Sequence, residues 1–236
     1  MDARAAVAAA VIDNARWCHL VCSTHGITGR FDADAWISPR RTPPMYPDAV
    51  TLSADVAAGK LLSRVDRGAG CSIKDSFATL DLAAAGFGVL FDAAWILRDS
   101  SPPPKVGSEL AWERVDRPDD LRAWSVEHGA GSTISPTLLA EPSVAILAGR
   151  DRNGRRMAGA IATEGDAAVG ISNVFASGDD SDAAFANAFV GATAAIAERF
   201  PARPIVGYLS ESRLPAARDA RFETVGALRV WLHEGS

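Results

Sequence analysis

Cysteine is scarce, with three in 236 residues, and lysine equally so, three against twenty-one arginines. An odd, small cysteine count in a chain long enough to bury a sizeable core argues against a disulfide-stapled scaffold. It fits thiols kept reduced in a cytoplasmic compartment, where they behave as small buried hydrophobes. The arginine bias and the abundance of alanine read as GC-rich, bacterial coding. Positive charge is also in short supply: Lys+Arg 24 against Asp+Glu 29 leave a net charge of −5. No bulk positive field is present to recruit nucleic acid or an anionic membrane. Long apolar runs are missing as well. The N-terminal stretch 5–12 is interrupted by Asp13, Asn14 and Arg16 before a signal-peptide core or a membrane span is complete, so it reads as a soluble amphipathic helix. Walker, dinucleotide-fingerprint, HExxH and GxSxG motifs are all absent, and kinase, dehydrogenase, zincin and hydrolase readings lose their starting point.

What is present is 48% hydrophobic and 22% charged sequence, the profile of an ordinary globular chain. The strongest punctuation is Asp99-Ser-Ser-Pro-Pro-Pro-Lys105, which can neither continue a helix nor supply a central strand. It divides the chain into 1–99, a linker 100–107 and 108–236. In the first part a helix over 4–25 ends at Gly26, a residue suited to a left-handed cap. Strands are expected near 50–52, 71–75 and 89–97, and helices near 56–65 and 79–85. The second part begins with a strand at 110–115 and a helix opening on Arg117-Pro118-Asp119-Asp120. Strands at 144–148 and 157–163 flank Asn153-Gly154, the dipeptide favoured in two-residue hairpin turns. A strand at 167–175, a helix at 183–200, a strand at 205–209, a short helix at 214–220 and a strand at 227–232 complete the order β-α-β-β-β-α-β-α-β. The stretch 71–99 echoes 206–234: apolar strand, Ser-containing turn, Ala-rich helix, Phe87 or Phe222, then a strand carrying Trp95 or Trp231. This suggests a tandem pseudo-repeat.

The second half, with its order of elements and its ending of strand, Ser-turn, short helix, Phe and strand, resembles the GNAT superfamily of N-acetyltransferases over about residues 108–236. The resemblance implies an α/β chain of the α+β type: two GNAT-like halves, the first degenerate, with a mixed, mostly antiparallel sheet flanked by helices. It also implies acetyl-CoA as co-substrate. The fourth strand would lay the backbone of Asn173, Val174 and Phe175 along the pantetheine arm, and Ser177, Gly178 and Ser181 would sit at the pyrophosphate, where helix-start amides favour an anion. Ser210 falls in the region where the family places an Asn. Glu211, at the end of the fifth strand, is the proton acceptor of first choice, with Glu164 and His128 as alternatives. Departures are visible. Three aspartates occupy the loop Ser177–Ala184 in place of the family's basic and glycine positions, and Ala217 stands where the family's Tyr, the acid for the departing thiolate, is expected.

Outside the resemblance, Tyr46 in the stiff segment 40–48 and Lys74-Asp75, the counterpart of Ser210-Glu211, are candidates to line a substrate cleft between the halves. The competing reading makes Lys74 and Asp75 a surface ion pair. Cys18, Cys22 and His25 fall short of a four-ligand metal set and read as core residues, and no metal is expected. The function the resemblance implies is acetyl transfer to a small amine. The reading from another class is a catalytically silent GNAT-like module that binds a ligand or partner. A homodimer in which halves complete one another's sheets is a third arrangement the sequence allows.

Overall fold

A computed structural model describes residues 1–102 and 110–235. The proline-rich linker expected at 100–107 lies, from residue 103 onward, outside the described residues. In chain order the elements are α1 (Ala3–Thr24), β1 (Arg30–Phe31), β2 (Ala35–Ile37), β3 (Ala49–Thr51), α2 (Ala58–Leu62), β4 (Cys71–Asp75) and β5 (Phe87–Arg98). There follow β6 (Ala111–Arg114), α3 (Pro118–His128), β7 (Val144–Arg150), β8 (Arg156–Glu164), β9 (Val169–Ala176), α4 (Asp182–Arg199), β10 (Ile205–Ser210), α5 (Leu214–Asp219) and β11 (Glu223–His233). The second half keeps the anticipated order, with 3-10 turns added at 136–140 and 211–213.

All eleven strands join one sheet in the order β1-β2-β3-β4-β11-β5-β10-β9-β8-β7-β6. Among the described residues only β3–β4 and β9–β10 pair in parallel; the other pairings are antiparallel. The last strands of the two halves are exchanged, β11 lying against β4 and β5 against β10. At the centre β5 and β11 pair with each other. Ala93 faces Leu228 there, flanked by Asp92↔Arg229 on one side and Ala94↔Ala227 on the other. Side-chain alternation along β5 then decides what each face buries. Trp95 and Leu97 pack with Ala6, Ala10 and Val11 of α1, whereas Ile96 joins Phe185, Phe189 and Ile196 of α4. The face that holds α1 also takes α3, through Trp124 and Leu121 against Ile146 and Ile161. Full burial of a side chain such as Phe189 contributes about 1.5–3 kcal/mol.

Local chemistry sets the ends of these elements. Asp2 accepts from the Ala5 amide at 2.8 Å to start α1, and Gly26 follows its end at φ +68°. Pro118 opens α3 and Gly129 at φ +82° closes it. The expected helix at 79–85 shrinks to a 3-10 turn at Ala83–Ala85, because Asp75 and Asp81 draw the amides of Leu80 and Ala83 into side-chain-closed turns. The hairpin at Asn153-Gly154 is likewise longer than two residues. Arg150 pairs with Arg156, and Asp151 closes the loop by accepting from the amides of Asn153 and Arg155. No helix among the described residues is long and apolar enough to cross a membrane.

Candidate functional site

Strands β9 and β10 run together for only two residue pairs, Val169↔Ile205 and Gly170↔Val206, and then part. The cause lies in β9. Its register against β8 jumps from Ser172↔Ile161 to Phe175↔Gly159, which leaves Asn173 and Val174 outside the ladder as a bulge. Asn173 sits at φ +52°, in the left-handed region that Asn tolerates better than other side-chain-bearing residues, and its Nδ2 donates to Ser172 Oγ at 2.9 Å. On the opposite strand Gly207 permits the closest approach, since a Cβ there would stand 2.7 Å from the Ile171 carbonyl oxygen.

The parting opens a cavity of about 370 Å³ that passes between the layers. Ile171, Ser172, Asn173 and Val174 form one wall; Tyr208, Leu209 and Ser210 form the other. Phe185, Phe189 and Arg213 close it on the α4 side, with the Arg213 guanidinium 4.0 Å above the Phe185 ring. Asn14, Trp17 and Cys18 of α1, Tyr46, Lys74 and His128 line it on the other side of the sheet. Among the described residues no carboxylate lines this cavity, while two cations do.

Three polar groups in the lining are under strain of burial. Lys74, 4% exposed, gives one hydrogen bond, to Asn14 Oδ1 at 2.9 Å, and its ammonium lies 4.2 Å from the centre of the Tyr208 ring. Tyr46 Oη is buried beside the Trp17 indole and meets no hydrogen-bond acceptor among the described residues, and burial pushes this phenol well above its ordinary range. His128 stacks on Trp124 at 5.1 Å and meets Phe175 edge-on at 5.4 Å. Burial lowers its imidazole below the usual value, so the ring is neutral and basic near pH 7. Its Nδ1 has no partner among the described residues.

The sequence-derived candidates divide accordingly. Asn173, Val174, Ser210, Tyr46 and Lys74 meet in the one cavity. Phe175 does not, because it points into the core under α3 beside Trp124. Glu211 stands exposed on the 3-10 turn after β10, outside the cavity lining, so the proton acceptor of first choice is displaced by its own position. Asp75 is buried and turned away, accepting from the amides of Phe77 and Leu80. Of the two candidates for the cleft Lys74 lines it and Asp75 does not, and in place of the competing reading's surface ion pair there are two buried groups with separate partners. Ser177 donates to Glu127 Oε2 at 2.7 Å. Gly178, at φ +72°, turns the chain into α4, where Ser181 caps the Ala184 amide at 3.2 Å and Asp179 takes the Ser181 amide at 2.9 Å. The amides of Asp182 and Ala183 retain no intrahelical acceptor. Cys18 and Cys22 are core residues whose thiols burial pushes up to about 11 and about 12, and His25 bonds the Thr133 carbonyl at 2.9 Å. Asn14, Trp17, Tyr208 and Arg213 were not anticipated as lining residues. They carry no motif, and only packing brings them together.

This architecture, a strand pair parted by a bulge over a helix start, defines the class: the chain has the fold of the GCN5-related N-acetyltransferases. A GCN5-related N-acetyltransferase from Kribbella flavida superposes with a TM-score of 0.67 at 14% identity, covering 97% of this chain and 96% of that one. A GNAT-family structure from Novosphingobium aromaticivorans gives 0.59 at 14% identity, over 96% and 99% of the two chains. A conserved protein of unknown function from Staphylococcus epidermidis gives 0.59 at 9% identity, over 88% and 93%. No protein-family model matches the sequence, and no curated protein matches it.

Proposed function

We propose that this protein is an acetyl-CoA-dependent N-acyltransferase that acts on a small amine by direct transfer inside the cavity at the β9–β10 parting. The observation that carries the reading is the bulge at Asn173-Val174, which frees strand backbone at the edge of an open cavity reached from both faces of the sheet. Acetyl-CoA, when bound, supplies the acyl group as an activated thioester. The backbone of Asn173 and Val174 would hold the pantetheine arm and offer an amide toward the carbonyl oxygen, a preorganised donor of the kind that carries much of acyl-transfer catalysis. Phosphate would meet the free amides of Asp182 and Ala183 at the start of α4. Of the aspartates of that loop, Asp179 is engaged with the Ser181 amide, and Asp180 and Asp182 are exposed to solvent, which screens their charge. Neutral His128 is suited to take the proton the amine must shed, a role that Glu211 cannot fill from outside the lining. The first half is read as a degenerate copy of the second, on the strength of the exchanged strands β5 and β11.

A second reading, a catalytically silent ligand-binding module, is favoured by Ala217, a buried small residue where the family's thiolate acid would stand. Heat denaturation with acetyl-CoA, with CoA and without ligand, followed by thiol release from acetyl-CoA over an amine panel, separates the two. Ligand at about 100 times its Kd adds about 2.7 kcal/mol, a rise of about 5–10 °C for a chain of this size. A rise that disappears in Ser210→Trp, with thiol release, supports the transferase; a rise without thiol release for any amine supports the silent module. No rise with millimolar acetyl-CoA overturns the transferase reading and leaves the silent module, with a ligand other than acetyl-CoA.

A further inference from the structure

We infer that Lys74 is a carboxylate-binding site, and that the amine accepted in this cavity belongs to a molecule carrying a carboxylate beside its amino group. The second clause rests on the transferase reading; the first stands without it. An ammonium has three protons to donate. Lys74 uses one on Asn14 Oδ1 and presents its charge to the Tyr208 ring, and it meets no carboxylate within ion-pair distance among the described residues. The acids near it in sequence or space are committed elsewhere. Asp75 closes the turn at 77–80, Asp13 accepts from Thr163 Oγ1 at 2.7 Å and packs against Gly170, and Asp48 pairs with Arg41 and takes the amides of Thr42 and Ser72. A charge held this deep without a counter-ion is unfavourable unless a ligand supplies one. Tyr46 Oη, buried in the same lining and meeting no acceptor among the described residues, is a second donor for that ligand.

The charge chemistry selects further. A purely cationic amine entering the cavity is repelled by Lys74, whereas an amino acid-like zwitterion is drawn to it and arrives with its amino group near a positive charge that favours loss of its proton. One lysine and one phenol suit a single negative charge; the cavity's guanidinium, Arg213, is stacked on Phe185 on the α4 side, whereas Lys74 and Tyr46 lie on the α1 side. Trp17, Tyr46, Phe91 and Tyr208 supply an apolar wall for the rest of the molecule.

The probe is phenylacetate against phenylacetamide, of the same shape without the charge, titrated into the full chain by calorimetry. Phenylacetate is expected to bind at least about tenfold tighter, the effect of one charge-assisted hydrogen bond. The preference is expected to vanish in Lys74→Met. Equal binding of the two probes, binding of neither at millimolar concentration, or a preference retained in Lys74→Met overturns the assignment. So does inorganic phosphate that displaces phenylacetate more effectively than acetate does. If Lys74→Met fails to fold, the wild-type ratio decides alone, with Tyr46→Phe, expected to reduce it, as the second variant. Acetyl-CoA binding is measured on the same samples. Its absence beside an intact phenylacetate preference removes the transferase reading and upholds the carboxylate site.

Discussion

Asp13 is the residue whose replacement tests the energetics of this fold most sharply. It sits on α1, half-buried, with Thr163 Oγ1 donating to one carboxyl oxygen at 2.7 Å while the other packs where a Cβ on Gly170 would overlap it. Burial raises its pKa from 3.8 to about 7, and the Thr163 hydrogen bond and the Arg16 charge offset this only in part. The fold thus favours the protonated form. The group is neutral in both states below the unfolded value, and as pH rises the unfolded chain ionises first, so stability falls until the folded pKa is passed. Three units correspond to about 4 kcal/mol lost between pH 4 and pH 8. Asp13→Asn keeps the shape and the acceptor for Thr163 but cannot ionise. At pH 8 the variant is expected to exceed the wild type by about 4 kcal/mol, a rise of about 10 °C in Tm. The gain is expected to shrink by more than half at pH 5. Urea titrations of both proteins at the two pH values measure it. A gain that is the same at pH 5 and pH 8, or no gain at pH 8, refutes the argument that Asp13 is held neutral by burial.

Three further outcomes follow from the same geometry. His128→Gln is expected to lower kcat/KM near pH 7 by about 10²- to 10⁴-fold with acetyl-CoA binding unchanged, read by thiol release and by the thermal shift with acetyl-CoA. Gly159→Ala places a Cβ 2.6 Å from Phe175 Cζ and against the Trp124 indole, so a loss of about 1–3 kcal/mol is expected in urea unfolding. Asp120 accepts from Arg150 at 2.8 Å and pairs with buried Arg156. Burial pushes its carboxyl up, but the bonds and charges of the two arginines outweigh this and hold it below the ordinary carboxylate range. Asp120→Asn is therefore expected to lose about 2 kcal/mol at pH 7, and the gap to the wild type closes as pH falls through the folded pKa.

Much of the fold was legible because its cues are local. Proline at the start of α3, glycine at its end, the serine that caps α4 and the apolar periodicity of β7 to β10 act within a few residues of themselves. The short strands β1 and β2 went unread, since two or three residues carry no periodicity and hold their shape only by pairing. For the site, Asn173 and Val174 could be named from the strand they occupy. Glu211 was ranked above His128, because exposure of the one and enclosure of the other depend on what packs above them and are not written in the sequence. Lys74 was named as a cleft residue, but its burial was not legible: a lysine followed by an aspartate is a common solvated pair until α1 is laid across it.

By itself the sequence determined the type and order of the helices and strands in the second half and the starts and stops set by caps and prolines. Tertiary structure alone decided that β5 enters between β10 and β11, that the two halves share one sheet, and that Asn14, Tyr46, Lys74, His128 and Tyr208 converge on one cavity. The division has a physical origin. Capping and turn chemistry are settled over a few residues of chain, whereas strand exchange and the burial of a lone ammonium are settled by surfaces far apart in sequence that meet only when the sheet closes.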